Sequence, residues 1–235
     1  MKSVNRRVPT RIIFITGTDT GVGKTLLTGL LLHHLRESGC HALAMKPFCS
    51  GGTSDVDLLG RLQGGELSPR ELNPFYFPDP LAPLVAARAQ GQRIRLGEVL
   101  RFVRVLARRC ECLLIEGSGG LLVPLGEGFS ALELIASLKC EVIVVARNRL
   151  GVINHVRLTL SALRALTRSP SKVVLMGTGH PDPSADTNAR ALAELVKPAT
   201  IYALKHLERP TVSATRVGLA ARRLRRDLAR IIKGG

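Results

Sequence analysis

The segment Gly17-Thr18-Asp19-Thr20-Gly21-Val22-Gly23-Lys24-Thr25 limits what this chain can fold into more than any other stretch. It follows the apolar run RIIFIT (11–16) and opens an amphipathic stretch from Lys24 to Ser38. A glycine-rich turn between a buried strand and a helix start has the form of a phosphate-binding loop. Glycines let backbone N–H groups turn inward on phosphate oxygens, and the helix N-terminus adds the positive end of its dipole. Asp19, Thr20, Gly21, Val22 and Gly23 form the wall of such a loop, Lys24 reaches the terminal phosphates, and the Thr25 hydroxyl is placed to ligate magnesium. The pattern is a variant: counting back from Gly23, the usual first glycine is Thr18, and Gly17 lies one residue earlier.

Further apolar runs follow at HALAM (41–45), CLLIE (112–116), EVIVVA (141–146) and KVVLM (172–176). Helical periodicity separates them near Val56 to Leu62, Leu84 to Gln90, Leu96 to Arg109, Ile153 to Leu166 and Ala185 to Val196. Short apolar strands alternating with helices predict an α/β fold, a P-loop NTPase-like parallel β-sheet covered by helices on both faces. Val217, Ala221, Leu224, Leu228 and Ile231 give one apolar stripe to a single C-terminal helix at about 215–233. No internal repeat or long linker divides the chain, so one domain over 1–235 is expected, with a basic arm at 1–10.

With 235 residues and 45% hydrophobic content, the chain can bury a sizeable core without disulfide or metal staples. Cys40, Cys49, Cys110, Cys112 and Cys140 are odd in number and scattered, without zinc spacing, which predicts a reduced, cytoplasmic protein. The first apolar run is too short for a signal peptide, and no later run reaches the roughly 18 residues of a membrane helix. The net charge is +16. Residues 1–11 hold four Lys/Arg and no acid, and residues 206–235 hold eight against two acids, so the excess is largely terminal. No aromatic residues interleave these arginines as single-strand binding would favour, so a solvated surface is expected rather than a nucleic-acid or membrane site.

Four segments in order carry a family resemblance. Thr16 to Thr25 resembles the phosphate loop of the dethiobiotin synthetase family. Met45-Lys46-Pro47-Phe48-Cys49-Ser50-Gly51 is similar to its K-P-x-x-[ST]-G, Glu116-Gly117-Ser118-Gly119-Gly120 to its E-G-[AS]-G-G, and Leu150-Gly151-Val152-Ile153-Asn154-His155 to its L-G-x-I-N-H. Asn73-Pro74-Phe75, with Pro80, Ala82 and Pro83, resembles the family's linker, although Leu84 stands where a histidine is common.

The resemblance implies ATP-dependent carboxylation and ring closure. 7,8-Diaminopelargonate takes up CO2 as a carbamate, the carbamate attacks the γ-phosphate, and the second amine displaces phosphate. It implies Mg2+ held by Thr25, Asp55 and Glu116, with Asp57 as the alternative to Asp55, since hard oxygens suit that ion. Lys24 and Lys46 bring positive charge to the phosphates and the carbamate. Carbamate formation needs a neutral amine, and a lysine-like amine is neutral in only about one molecule in 10³ at pH 7. Nearby cations and desolvation lower such a pKa, so the same lysines serve the substrate amine. Thr20 and Ser50 hold the diamine end. Gly119 and Gly120, with Leu150, Gly151 and Asn154 of a second subunit, hold the distant carboxylate, which implies a homodimer; His155 reads as structural.

Beyond Leu166 the resemblance thins. Met176 takes the seat of an asparagine that reads the nucleotide base, and Ala203-Leu204-Lys205-His206-Leu207 lacks the family's I-P-x-L. An amide pairs with donor and acceptor edges of a base, whereas a thioether accepts only weakly. The expectation is therefore relaxed nucleotide choice, or a base read by backbone groups. Two other classes fit parts of the sequence. A MinD/ParA-type ATPase acting on DNA or membrane would use the basic termini, but its extra lysine is absent, since Asp19 stands two residues after Gly17. A related amidoligase on another substrate would share the loop chemistry.

Overall fold

The computed structural model describes residues 10–167, 171–207 and 213–233. In chain order the elements are β1 (Arg11–Gly17), α1 (Lys24–Glu37), β2 (Ala42–Met45), β3 (Phe48–Ser50), α2 (Ser54–Leu62), α3 (Pro69–Leu72), β4 (Phe75–Phe77), α4 (Pro83–Ala89), α5 (Leu96–Ala107) and β5 (Cys112–Glu116). They continue with β6 (Pro124–Gly126), β7 (Phe129–Ser130), α6 (Ala131–Leu138), β8 (Glu141–Arg147), α7 (Val152–Leu166), β9 (Lys172–Met176), α8 (Ala185–Leu195), β10 (Thr200–Leu204), α9 (Ala214–Arg223) and α10 (Arg225–Lys233).

Six strands form one sheet in the order β10-β9-β8-β1-β5-β2, and every pairing in it is parallel. The register places Ile15 beside Glu116 and Gly17 beside Val145. Every residue of β2 and β5 is buried, as is the run Ile13 to Gly17 of β1. Consecutive buried residues point to both faces of a strand, so both faces need cover. Helix α1 packs with α2, α9 and α10, while α6 packs with α5 and α7, and both α1 and α6 reach β1. Helix α6 shows how local chemistry fixes a start: the Ser130 hydroxyl accepts from Leu132 N–H, and Glu133 accepts in return from Ser130 N–H at 2.7 Å.

The five strands and the helices expected from the sequence are present, joined by α3 and α6, which the periodicity did not mark, and three further differences appear. The sheet gains a sixth strand, β10, an edge strand whose residues are mostly half-exposed or exposed and so carry no continuous apolar run. Two small sheets, β3 with β4 and β6 with β7, lie outside the main one. The single C-terminal helix is instead two, separated at Leu224, where ψ of 11° departs from helical geometry. Hydrogen bonds from Leu224 N–H to Ala220 and from Leu228 N–H to Leu224 span the break. The apolar stripe therefore stays in phase across it. The basic arm expected at 1–10 lies, apart from Thr10, outside the described residues. No described helix is long and apolar enough to cross a membrane.

Candidate active site

The main site lies where β1, β5 and β2 end and α1 begins. Gly17 closes β1 because nothing larger fits: a Cβ there would meet Val22 Cγ2 at 2.8 Å and Lys24 Nζ at 3.1 Å. Gly21 and Gly23 take φ of +63° and +104°, a left-handed backbone that glycine adopts at least cost. Gly23 is the N-cap of α1 and offers no side-chain cap, so the helix's first N–H groups stay available to an anion. Lys24 is buried, and its Nζ donates to the carbonyl oxygens of Asp19 (2.9 Å) and Gly119 (2.7 Å).

Glu116 at the tip of β5 is fully buried. Its Oε1 accepts from the Thr25 hydroxyl at 2.7 Å and from Lys46 Nζ at 2.8 Å. Lys46 follows β2, and its Nζ also donates to Asp55 in the first turn of α2. The Lys46 backbone is fixed on both sides: its N–H donates to Leu72 O, and its carbonyl accepts from the buried Asn73 side chain at 2.6 Å.

These groups line one open cavity of about 690 Å³, together with Thr20, Cys49, Ser50, Gly51, Pro80 and Gly119. Gly51, with φ of +83°, lets Pro80 close over it, since a Cβ there would lie 2.7 Å from the proline ring. Two polar atoms of the lining, Ser50 Oγ and Glu116 Oε2, are buried without a hydrogen-bond partner. A buried polar atom left unpaired costs about 1–3 kcal/mol, so at both a water or a ligand is expected to supply the missing bond.

The two lysines are tuned in opposite directions. Burial lowers the Lys24 pKa to about 8, against the pull of Glu116 and with help from Lys46. Burial also disfavours the Lys46 ammonium, but Glu116 and Asp55 together outweigh it and raise the pKa above its ordinary value. Lys46 is thus a fixed cation across the neutral range, whereas Lys24 can change charge just above it. Such an arrangement can neutralise and orient a polyphosphate while keeping a second, permanent cation beside a reacting anion.

Of the residues expected to act together, Thr20, Gly21, Gly23, Lys24, Thr25, Lys46, Ser50, Asp55, Glu116 and Gly119 line this cavity. Asp19 is exposed on the loop and accepts from Thr20 N–H, Val22 is buried beneath the loop, and Gly120 packs closely against the Thr18 carbonyl. Asp57 points elsewhere and accepts from the Thr53 hydroxyl at 2.9 Å. Leu150, Gly151 and Asn154 do not reach the cavity of their own chain. Leu150 is 80% exposed, and its N–H already donates to Asp182 at 2.9 Å. Asn154 lines a separate shallow groove with Leu158 and Leu195, both exposed. His155 sits beside Thr18, Asp19 and Arg147 in a small recess.

Sequence reasoning missed Asn73 as the support of Lys46; its place just before the proline-rich linker was the available signal. It also missed a buried amide pair beside Met176. Asn148 donates to Ala185 O and accepts from Asn188 Nδ2 at 3.0 Å. Its N–H donates to Met176 O, while the Met176 side chain packs on the loop, with Cγ 3.1 Å from a Cβ built on Gly23. The Asn148 amide is therefore committed to the fold beside a thioether seat.

A family model described as an AAA domain matches residues 11–211. A protein named ATP-dependent dethiobiotin synthetase BioD from an Anaeromyxobacter species is 41% identical over 202 residues, covering 84% of this chain and 91% of its own length. One of the same name from Bacillus subtilis is 36% identical over 191 residues, covering 79% and 83%. Among solved structures, the signal recognition particle receptor FtsY from Elizabethkingia anophelis in complex with GDP aligns with a TM-score of 0.54 at 12% identity. That alignment covers 94% of this chain and 66% of FtsY, and at such identity it speaks to the fold alone.

Proposed function

The chain belongs to the ATP-dependent dethiobiotin synthetase family, and from that premise we propose that its cavity phosphorylates a carbamate of 7,8-diaminopelargonate and closes the ureido ring. The enzyme is an ATP-using ligase of biotin biosynthesis. The observation that carries the proposal for the site is the convergence of Lys24, Lys46 and Glu116 on one cavity in which Ser50 Oγ and Glu116 Oε2 await a partner.

In this reading the loop N–H groups and Lys24 take the triphosphate. Thr20 and Ser50 hold the diamine end, whose amine must be neutral to capture CO2, and the neighbouring Lys46 cation lowers that amine's pKa. The same cation then stabilises the carbamate and the charge that moves toward the transferred phosphoryl group. Displacement of phosphate by the second amine needs the two reacting ends held close, which suits a cavity walled by Gly119 and Pro80.

Mg2+ fits the donors present: the Thr25 hydroxyl, the free oxygen of Glu116 and the part-exposed Asp55 carboxylate are all hard oxygen groups. When bound, the ion would supply charge neutralisation to the phosphate oxygens. The substrate's distal carboxylate would be met by Gly119 and Gly120, with Leu150, Gly151 and Asn154 of a second copy. The exposure of those three residues, and of Leu158 and Leu195 in the mixed polar and apolar groove beside Asn154, supports a homodimer.

A phosphate-release assay tests the proposal. Hydrolysis of ATP stimulated by diamine and bicarbonate together is the expected result. Stimulation by DNA or anionic vesicles, with no response to the diamine, would overturn it.

A further inference from the structure

The loop has a second support that lies on the side away from the main cavity. Arg147 is the last residue of β8, which runs beside β1 with Val145 level with Gly17. Its Nε donates to the Gly21 carbonyl at 2.9 Å, and its Nη2 lies 3.4 Å from the place a Cβ on Gly21 would take. The guanidinium lines the recess of about 170 Å³ shared with Thr18, Asp19, Val22 and Arg149; Thr20 borders both spaces, whereas Gly21, Gly23 and Lys24 line the main cavity alone. Arg147 therefore grips the loop from outside.

The peptide joining Gly21 to Val22 is planar and trans, so its carbonyl and its N–H point in opposite directions. A carbonyl drawn outward to Arg147 sends the Val22 N–H inward, toward the phosphate side. The bond is charge-assisted, and a cation on the carbonyl oxygen also polarises the peptide, which makes that N–H a stronger donor. Gly21 lacks a side chain and sits at φ of +63°, so this peptide would otherwise rotate with little resistance.

We propose that Arg147 is a positioning residue for the nucleotide: by holding the Gly21 carbonyl it presets the Val22 N–H as a phosphate donor. The inference rests on the reading of the main cavity as the triphosphate site. It assigns Arg147 to ATP and not to the diamine, because the group it orients is the Val22 N–H, which meets phosphate, whereas the diamine is held by the side chains of Thr20 and Ser50.

The test is steady-state kinetics on the full chain, with ATP and diamine varied separately, for wild type, Arg147→Ala, Arg147→Gln and Arg147→Lys. Arg147→Ala should raise the KM for ATP about tenfold or more, the scale of a bond to a charged group. The KM for the diamine and the unfolding midpoint should stay near wild type. Arg147→Lys, which keeps a cationic donor, should recover most of the loss, and Arg147→Gln serves if the alanine variant does not fold. An unchanged KM for ATP would overturn the proposal, as would a parallel rise in both KM values, or Lys and Ala variants that lose equally. These failures differ from failure of the underlying reading, in which the wild-type chain itself forms no dethiobiotin.

Discussion

Two stretches of the same sheet edge are built from different materials. Where β1, β5 and β2 end, the edge carries Lys24, Glu116 and Lys46, all buried: Glu116 accepts from Lys46 and Thr25, and Lys24 donates to the Asp19 and Gly119 carbonyls. Where β9 and β10 end, it carries Met176, Gly177 and Leu204, and the chains touch through backbone: Gly177 N–H donates to Leu204 O at 2.9 Å. A Cβ on Gly177 would lie 2.5 Å from His206 N, so no side chain fits there. Polyphosphate and carbamate carry full charge, and a fold can bury the opposing charges only in paired sets. A flat base makes no such demand and can be met by apolar surface and peptide groups. The first stretch should therefore respond sharply to single substitutions, and the second should respond weakly.

The largest effect is expected at Lys46. Lys46→Ala removes a permanent cation and should lower turnover by about 10²–10³-fold, the scale of losing one preorganised charge-stabilising group. It also leaves Glu116 as an unpaired buried carboxylate, so denaturant unfolding should show a loss of about 3 kcal/mol. Retention of full ring-closing activity would remove Lys46 from the account.

Next comes Asn154, at the edge of the same chemistry but on a different element. Asn154→Asp places a carboxylate beside the proposed carboxylate subsite and should raise the KM for the diamine about tenfold by like-charge repulsion. Mixed with Lys46→Ala chains it should regain activity, because a mixed dimer holds one site with neither defect. No recovery on mixing would place the subsite within one chain.

A pH effect follows from the Lys24 amine. With its pKa lowered to about 8 by burial, the group is an ammonium below that pH and neutral above it. Affinity for ATP in the free enzyme should therefore fall as pH rises through about 8, by up to about tenfold per unit. Calorimetry in buffers of different ionisation enthalpy should show proton uptake on binding in that window, and its absence would place the Lys24 pKa elsewhere.

The smallest change belongs to the other stretch. Met176→Asn adds a base-reading amide and should sharpen preference between nucleoside triphosphates by about fivefold, close to the net worth of one hydrogen bond. A change as large as that at Lys46 would show that the base end is no more tolerant than the phosphate end.

The same contrast decided what could be read from the sequence. The phosphate loop, Lys46 and Glu116 stand in short motifs at strand ends, because charged chemistry fixes residue type and spacing together. The five buried strands were legible as apolar runs, whereas β10 was not, since as an edge strand it is mostly exposed or half-exposed. The break at Leu224 left no trace because the apolar stripe continues through it. Arg147 and the Asn148–Asn188 pair act through backbone carbonyls and amides brought near by the fold, and no local pattern announces contacts between residues so far apart in sequence.

The most direct test of the central reading follows isotopically labelled bicarbonate through one turnover. With the diamine and ATP present, label should enter the ureido carbonyl of dethiobiotin in equal amount to the phosphate released. Phosphate release without label in the product, or labelled product formed without ATP, would contradict it.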